Sequence, residues 1–288
     1  MRLILLCICA VIIAATVTPA RAETGKPSKE SKEPQPDATA QSEETSPSRG
    51  PAYRLNLAVD LPAFFIAGLV SVGWMLGDEL GPAHCAPLCD KSNVNALDRR
   101  VAGNYNENWS KVSDAALLTA LGTSAIALFA DDGFSSGIID FVVMAESALM
   151  TNATIIVLNL ATRRARPYLY SEKAPEEVRT SGTASLSFPS GHIGTATAVT
   201  TSLFGILYIR NPGSAWPWVW LGFGTAASGL VATGRVMAGR HFITDVIVGG
   251  AMGVCMGILV PVLHKRNIVI TPTVFEDSAA GLSLSGEF

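Results

Sequence analysis

Phe188-Pro189-Ser190-Gly191-His192, running into the apolar stretch 193–209, decides the reading of this chain. The proline and the glycine break the preceding loop, and a helix is expected from Ile193 onward. Backbone N–H groups that open a helix are unpaired and point outward, so they cradle an anion. Gly191 lets that backbone come close to a ligand, and Ser190 adds a hydroxyl donor. His192 stands at the mouth of the cradle. An ordinary Ser/Pro helix start with an exposed histidine has the same sequence, so this stretch does not decide a function alone.

Two further clusters lie on either side of it. Downstream, Arg235 precedes His241 by six residues, and Asp245 follows His241 by four. At i and i+4 the histidine and the carboxylate are expected on one helix face. There the acid accepts the Nδ1 proton, sets the tautomer and leaves Nε2 free to attack phosphorus. Upstream stands Arg163-Arg164-Ala165-Arg166-Pro167. Guanidinium forks match phosphate oxygens and stabilise charge that builds during phosphoryl transfer. The same arginines also suit a positive membrane flank.

The bulk composition sets the surroundings. The 288 residues are 49% hydrophobic and only 16% charged, whereas soluble domains carry about 25% charged residues. A net charge of −3 argues against nucleic acid as a partner, since phosphate-backbone binding needs a basic field. Six apolar segments, at about 57–76, 114–130, 137–161, 193–209, 216–233 and 242–263, are each long enough for a helix, and a bilayer core needs about 20 apolar residues. Their Gly, Ala, Ser and Thr content suits close helix packing in a membrane. The expected fold is all-α, a membrane-embedded bundle of five to six helices over 53–266. Residues 267–288 alternate apolar and polar side chains and are expected to form a short β-hairpin. Residues 1–22 read as a secretory signal, with Arg2, an apolar run and Ala20-Arg21-Ala22. Residues 23–52 read as a disordered polar spacer.

Cysteine usage adds little chemistry. Cys85 and Cys89 are placed to pair in an oxidising compartment, and Cys255 reads as a small core residue. No second cysteine pair completes a metal site, and no metal ligands are assigned.

Together the three clusters resemble the type-2 phosphatidic acid phosphatase and vanadium haloperoxidase superfamily. Its pattern is Lys, six residues, Arg-Pro; then Pro-Ser-Gly-His; then Ser-Arg, five residues, His, three residues, Asp. Arg166-Pro167, Pro189 to His192 and Arg235…His241…Asp245 match it in order and spacing, over a motif core of about 114–263. The resemblance implies that His241 is the nucleophile forming a phosphohistidine and that Asp245 orients it. It implies that His192 protonates the leaving oxygen and then activates water. Arg166, Arg235, Ser190 and Gly191 are then the phosphate-binding set, with no cofactor. The implied substrate is a lipid phosphate ester or diphosphate at a membrane. Two positions depart from the pattern: Asn159 stands for the lysine and Gly234 for the serine. Asn159, Arg163 and Arg166 fall at i, i+4 and i+7, so Arg163 is expected to replace part of the missing charge. A secreted soluble acid phosphatase, a haloperoxidase and a headgroup-binding member without turnover stay open as alternatives.

Sidedness follows from parity. A cleaved signal puts residue 23 outside. If Cys85 and Cys89 pair outside as well, segment 57–76 does not cross, and five crossings leave the three clusters on the periplasmic or lumenal side. Asp60 and Pro62 weaken that first segment as a span.

Overall fold

The computed structural model describes residues 52–265, 269–274 and 280–285. The expected signal at 1–22 lies outside the described residues, as does the expected spacer up to residue 51.

Helix α1, Leu57–Ser71, starts at Asn56, whose side chain accepts the Ala58 N–H. Helix α2, Glu107–Thr162, is capped in the same way by Asn106, which accepts from Asn108 and Trp109. It breaks at Gly133, where φ is 74° and ψ 178°. That backbone region is essentially open to glycine alone, so α2 is two rods, 107–132 and 134–162. A short α3, Glu176–Thr180, follows, then α4, Gly191–Arg210, α5, Trp216–Met237, and α6, Ile243–Leu263.

Among the described residues, five helical stretches are long and apolar enough to cross a membrane: Leu57–Met75, Glu107–Asp131, Gly133–Tyr170, Gly191–Arg210 and Ile243–Leu263. Helix α5 joins the same bundle against α2 and α4. The outward faces are apolar. Leu69 is 75% exposed and Phe65 68% on α1, and Ile126 is 69% exposed on α2. An apolar surface of this kind is unfavourable in water and at home in lipid. The core beneath it includes Leu128, Val143, Leu203, Ile206 and Leu207.

Helix α4 is central and packs on α2, α5 and α6. Its contact with α6 is backbone against backbone. A Cβ added at Gly249 would lie 2.3 Å from the Ser190 carbonyl oxygen, one at Gly253 2.1 Å from that of Gly194, and one at Gly257 2.6 Å from that of Ala198. Three glycines spaced by four make one stripe along α6, and any side chain there would push the helices apart. Gly234 plays the same part between α5 and α2: a Cβ would meet Ser113 Cβ at 2.7 Å and the Trp109 carbonyl at 3.0 Å.

Two expectations need correcting. Segment 57–76, expected not to cross, is long and apolar enough to do so. Asp60, near the start of α1, packs beside His264 at the end of α6, while Trp74 reaches the cavity described below, about 20 Å further along at the rise of a helix. The second correction concerns the arginine cluster. Arg163 adopts a left-handed conformation with φ of 45° and ends α2, so Arg166 lies in extended backbone, off the helix face assumed for 159, 163 and 166. The helical body contains no sheet. Val269–Val274 and Ala280–Ser285 pair antiparallel beyond it, and the hairpin expected for the tail is not counted as part of the fold.

Gly249→Ala is expected to lower thermal stability by about 1–3 kcal/mol, the usual scale of overpacking, as read from the melting of purified protein. Gly229→Ala, on a glycine with nothing near its added Cβ, is expected to leave it within error.

Candidate active site

Three chain segments meet at one end of the bundle: the loop after α2, the start of α4 and the turn between α5 and α6. Backbone bonds join them. Ser187 N–H donates to the Arg164 carbonyl at 3.0 Å, and Ser190 N–H to the Asp245 carbonyl at 3.0 Å. The turn into His241 needs Gly239, whose φ is 71° and whose Cβ would lie 1.8 Å from the Asn104 carbonyl oxygen.

A cavity of 520 Å³ opens there, lined at its polar end by Arg166, Gly191, His192 and His241. Its walls are apolar and include Trp74, Leu117, Leu149, Ile155 and Ile156. His241 is 4% exposed. Its Nδ1 lies 2.6 Å from the Ser187 carbonyl. A carbonyl only accepts, so Nδ1 carries the proton and Nε2 keeps its lone pair. Burial holds the imidazole well below its ordinary pKa, and the charges of Arg166 and Arg235 add to this, while the Ser187 carbonyl opposes it. The ring is therefore neutral at pH 7.

Asp245 is not the direct partner of His241. Its nearer oxygen is 3.9 Å from Nδ1, beyond a hydrogen bond. The shared-face expectation fails because α6 begins at Ile243, with Phe242 as its cap, so His241 precedes the helix. Asp245 instead accepts from Phe242 N–H at 2.8 Å and Ser187 Oγ at 2.6 Å, and pairs with Arg164 Nη1 at 2.5 Å. It acts on the histidine through Ser187.

The other residues divide. Arg166 lines the cavity, oriented by the carbonyls of Thr183 and Arg240. Ser190 is fully buried and its Oγ has no hydrogen-bond partner. Arg235 sits behind the lining, in ion contact with Asp114. Arg163 stands apart from the cavity and gives its Nη2 to the Gly81 carbonyl at 3.1 Å, so the structure does not bring it to the expected phosphate-binding set. The reason is its left-handed backbone, which turns the chain before Arg166.

The two departures from the motif have structural reasons. Asn159 lines the cavity, and its amide donates to the carbonyls of Ile155 at 2.9 Å and Pro189 at 3.0 Å. It pins the loop that carries Ser190. At 234, Ser113 from α2 fills the space that a serine side chain would need.

Asp98 and Asp114 escaped the sequence reading, and Arg164 was read only as part of the arginine cluster. Asp114 bridges Arg235 and His192, whose Nε2 lies 3.1 Å from its carboxylate. Arg164 joins Asp245 to Asp98 at 2.8 Å and lies 4.3 Å over the Phe242 ring. Asp98 is wholly buried, and takes Thr244 Oγ1 at 2.5 Å and Asn95 Nδ2 at 2.6 Å. Burial alone would raise its pKa, but the hydrogen bonds of Thr244 and Arg164 hold it below the ordinary carboxylate range. Asp98 and Asp114 belong to none of the spaced motifs, so the sequence carries no signal for them.

Residues 140–268 match the family model of the PAP2 superfamily. That stretch, less than half of the chain, is similar to the PAP2 superfamily. Over 80 residues it is 40% identical to a lipid A 1-phosphatase of Porphyromonas gingivalis, a match spanning 28% of this chain and 17% of that protein's length. It is also similar to the crystal structure of the first transmembrane PAP2 type phosphatidylglycerolphosphate phosphatase from Bacillus subtilis. That likeness has a TM-score of 0.42 and 20% identity, over 72% of this chain and 96% of the other. The PAP2 match takes in Arg166, both histidines and Asp245, but not Asp98 or Asp114.

Arg164→Ala strands two buried carboxylates, and is expected to cost about 3–5 kcal/mol in denaturant unfolding; Arg163→Ala is expected to cost far less. The neutral state of His241 also has a pH signature. Its folded pKa lies below the unfolded value of about 6.5, so the unfolded chain binds the proton first. Stability is complete above that pH and declines as pH falls below it. His241→Gln is expected to flatten this acid limb in melts taken across pH 4–7.

Proposed function

We propose that the chain is a phosphatase of membrane lipid phosphate esters or diphosphates that works through a phosphohistidine on His241. The observation that carries this is the one cavity in which Arg166, His192 and His241 share space with a wall of large apolar side chains. A phosphate headgroup fits the cationic end, and an acyl or prenyl chain fits the wall. The lipid phosphatase similar to it in sequence supports the same substrate class.

In the first step the Nε2 lone pair of His241 forms a bond to phosphorus. The bond from phosphorus to the alcohol oxygen breaks, and His192 gives that oxygen a proton. In the second step His192 takes a proton from water, the water oxygen attacks phosphorus and the P–N bond breaks. Inorganic phosphate leaves and both rings return to their starting states. Arg166 and Arg235 balance the charge on the phosphoryl oxygens, with Ser190 and Gly191 at the helix start. The cations of this pocket are guanidinium groups, so the reaction needs no catalytic metal. Asp245 serves as a positioning residue through Ser187.

The reading of a headgroup binder without turnover rested on Asn159 and Gly234. Asn159 secures the catalytic loop and Gly234 admits Ser113, so neither position speaks for lost activity.

We place the catalytic end on the envelope side. Cys85 and Cys89 are disulfide-bonded and pack with Tyr168 and Leu169 at that end, and disulfides persist in oxidising compartments. With 57–75 as a traverse, Arg54 and Lys265 then lie in the cytosol. A cleaved signal at 1–22 is incompatible with this arrangement, because it would leave residue 53 outside.

His241→Ala is expected to abolish phosphate release from a panel of lipid phosphates, with phosphohistidine trapped only in the wild type. Turnover that survives in His241→Ala would end the mechanism. Impermeant thiol labels are expected to reach a single cysteine at position 173 in whole cells, in a Lys173→Cys variant, and to miss one at position 54.

A further inference from the structure

Away from this cavity, three helices bring together another set of donor atoms. Asp60 comes from α1, Glu146 from the second rod of α2, and His264 directly follows α6. Nε2 of His264 lies 3.3 Å from Asp60 Oδ1 and 3.3 Å from Glu146 Oε2. All three ligand atoms lie within 4.8 Å of one another. The side chains of Glu146 and His264 are only 6% and 9% exposed. Neither Glu146 Oε2 nor His264 Nε2 has a hydrogen-bond partner, so the short approaches lack hydrogen-bond direction.

The protonation of His264 sharpens the point. Its Nδ1 lies 2.8 Å from the Val260 carbonyl, so Nδ1 carries a proton. This is the outer-shell bond that metal-ligating histidines commonly make, and it presents Nε2 inward. Asp60 is held too, by the Asn56 N–H at 2.5 Å from its second oxygen. Two carboxylates converge on the His264 imidazole inside an apolar bundle, and a single divalent cation would engage all three donor atoms at once. The distances point the same way. Tetrahedral zinc with bonds of about 2.0–2.1 Å has ligand-to-ligand edges of about 3.3–3.4 Å, and both edges from Nε2, at 3.3 Å, fall there.

We propose that Asp60, Glu146 and His264 form a structural zinc site that clamps α1 to α2 and α6, with the fourth position open to water. The nitrogen-and-oxygen donor set suits zinc among the first-row divalent ions. The clamp has a mechanical purpose. Helix α1 packs chiefly on α2, exposes most of its apolar side chains, and leads to Trp74 in the cavity wall. Fixing its start holds that wall in place. Zinc here takes no part in the reaction at His241.

The test uses the full chain purified in detergent without chelator. Metal analysis is expected to find about one zinc per chain, chelation to lower the melting temperature and added zinc to restore it. Cobalt(II) added to the chelated protein is expected to give the visible absorption of a tetrahedral centre, which needs no variant. Glu146→Gln and His264→Gln are expected to lose the zinc, while His241→Ala keeps it. A wild-type protein that neither retains nor takes up zinc or cobalt overturns the proposal. So does a melting temperature that responds to pH and not to metal, which would make the triad an ion pair. A failed phosphatase assay bears on His241 and leaves the metal analysis unaffected.

Discussion

The contact of α6 with α4 across Gly249, Gly253 and Gly257 is the constraint on which the site depends. Along this stripe α6 presents no side chain to α4, and the Ser190 carbonyl occupies the place of a Cβ at Gly249. This close approach brings the turn ahead of α6, with His241, against the loop ahead of α4, with His192. In lipid the hydrophobic effect offers little to drive helices together, so van der Waals contact between small residues carries the association. Separate the helices by one methyl group, and the two imidazoles no longer line one cavity.

Behind His241 runs a chain of buried polar groups. Asp98 holds Arg164, Arg164 holds Asp245, Asp245 holds the Ser187 hydroxyl, and the Ser187 carbonyl accepts from His241. Each carboxylate is wholly buried, so each link offsets a desolvation cost that a missing partner would expose. The arrangement favours geometry over raw stability. It sets one tautomer of one ring and aims its free nitrogen at the cavity. Arg164 stands between two carboxylates, so the most consequential arginine of the 163–166 cluster for the scaffold is not one that reaches the cavity.

The cavity couples this polar end to the membrane. Its wall draws on Trp74 after α1 and on Leu149, Ile155 and Ile156 of α2. The same helices present apolar faces outward. An amphiphile therefore meets lipid-like surface up to the place where guanidinium and imidazole groups begin. Helix α1 is the least enclosed of the long helices, and Asp60 near its start lies beside His264 at the end of α6.

Hydrophobic run length was enough to show six helical segments, with one opening close to Ile193, and the family resemblance implied the grouping of Arg166, His192 and His241. Run length is set by the bilayer, and the motif by local chemistry, so both are written in consecutive residues. The partner of His241 was not legible, because it is a backbone carbonyl and carbonyls have no residue identity. Nor was the fate of Arg163, since the left-handed turn that removes it depends on where α2 stops. Asp98, Asp114 and the Asp60–Glu146–His264 cluster lie far from the motifs in sequence, and only packing brings them into contact. Sequence alone determined which chemistry and which solvent this protein is built for; tertiary structure decided which groups touch, because buried charges take their partners from whichever helix the close-packed backbone brings within reach.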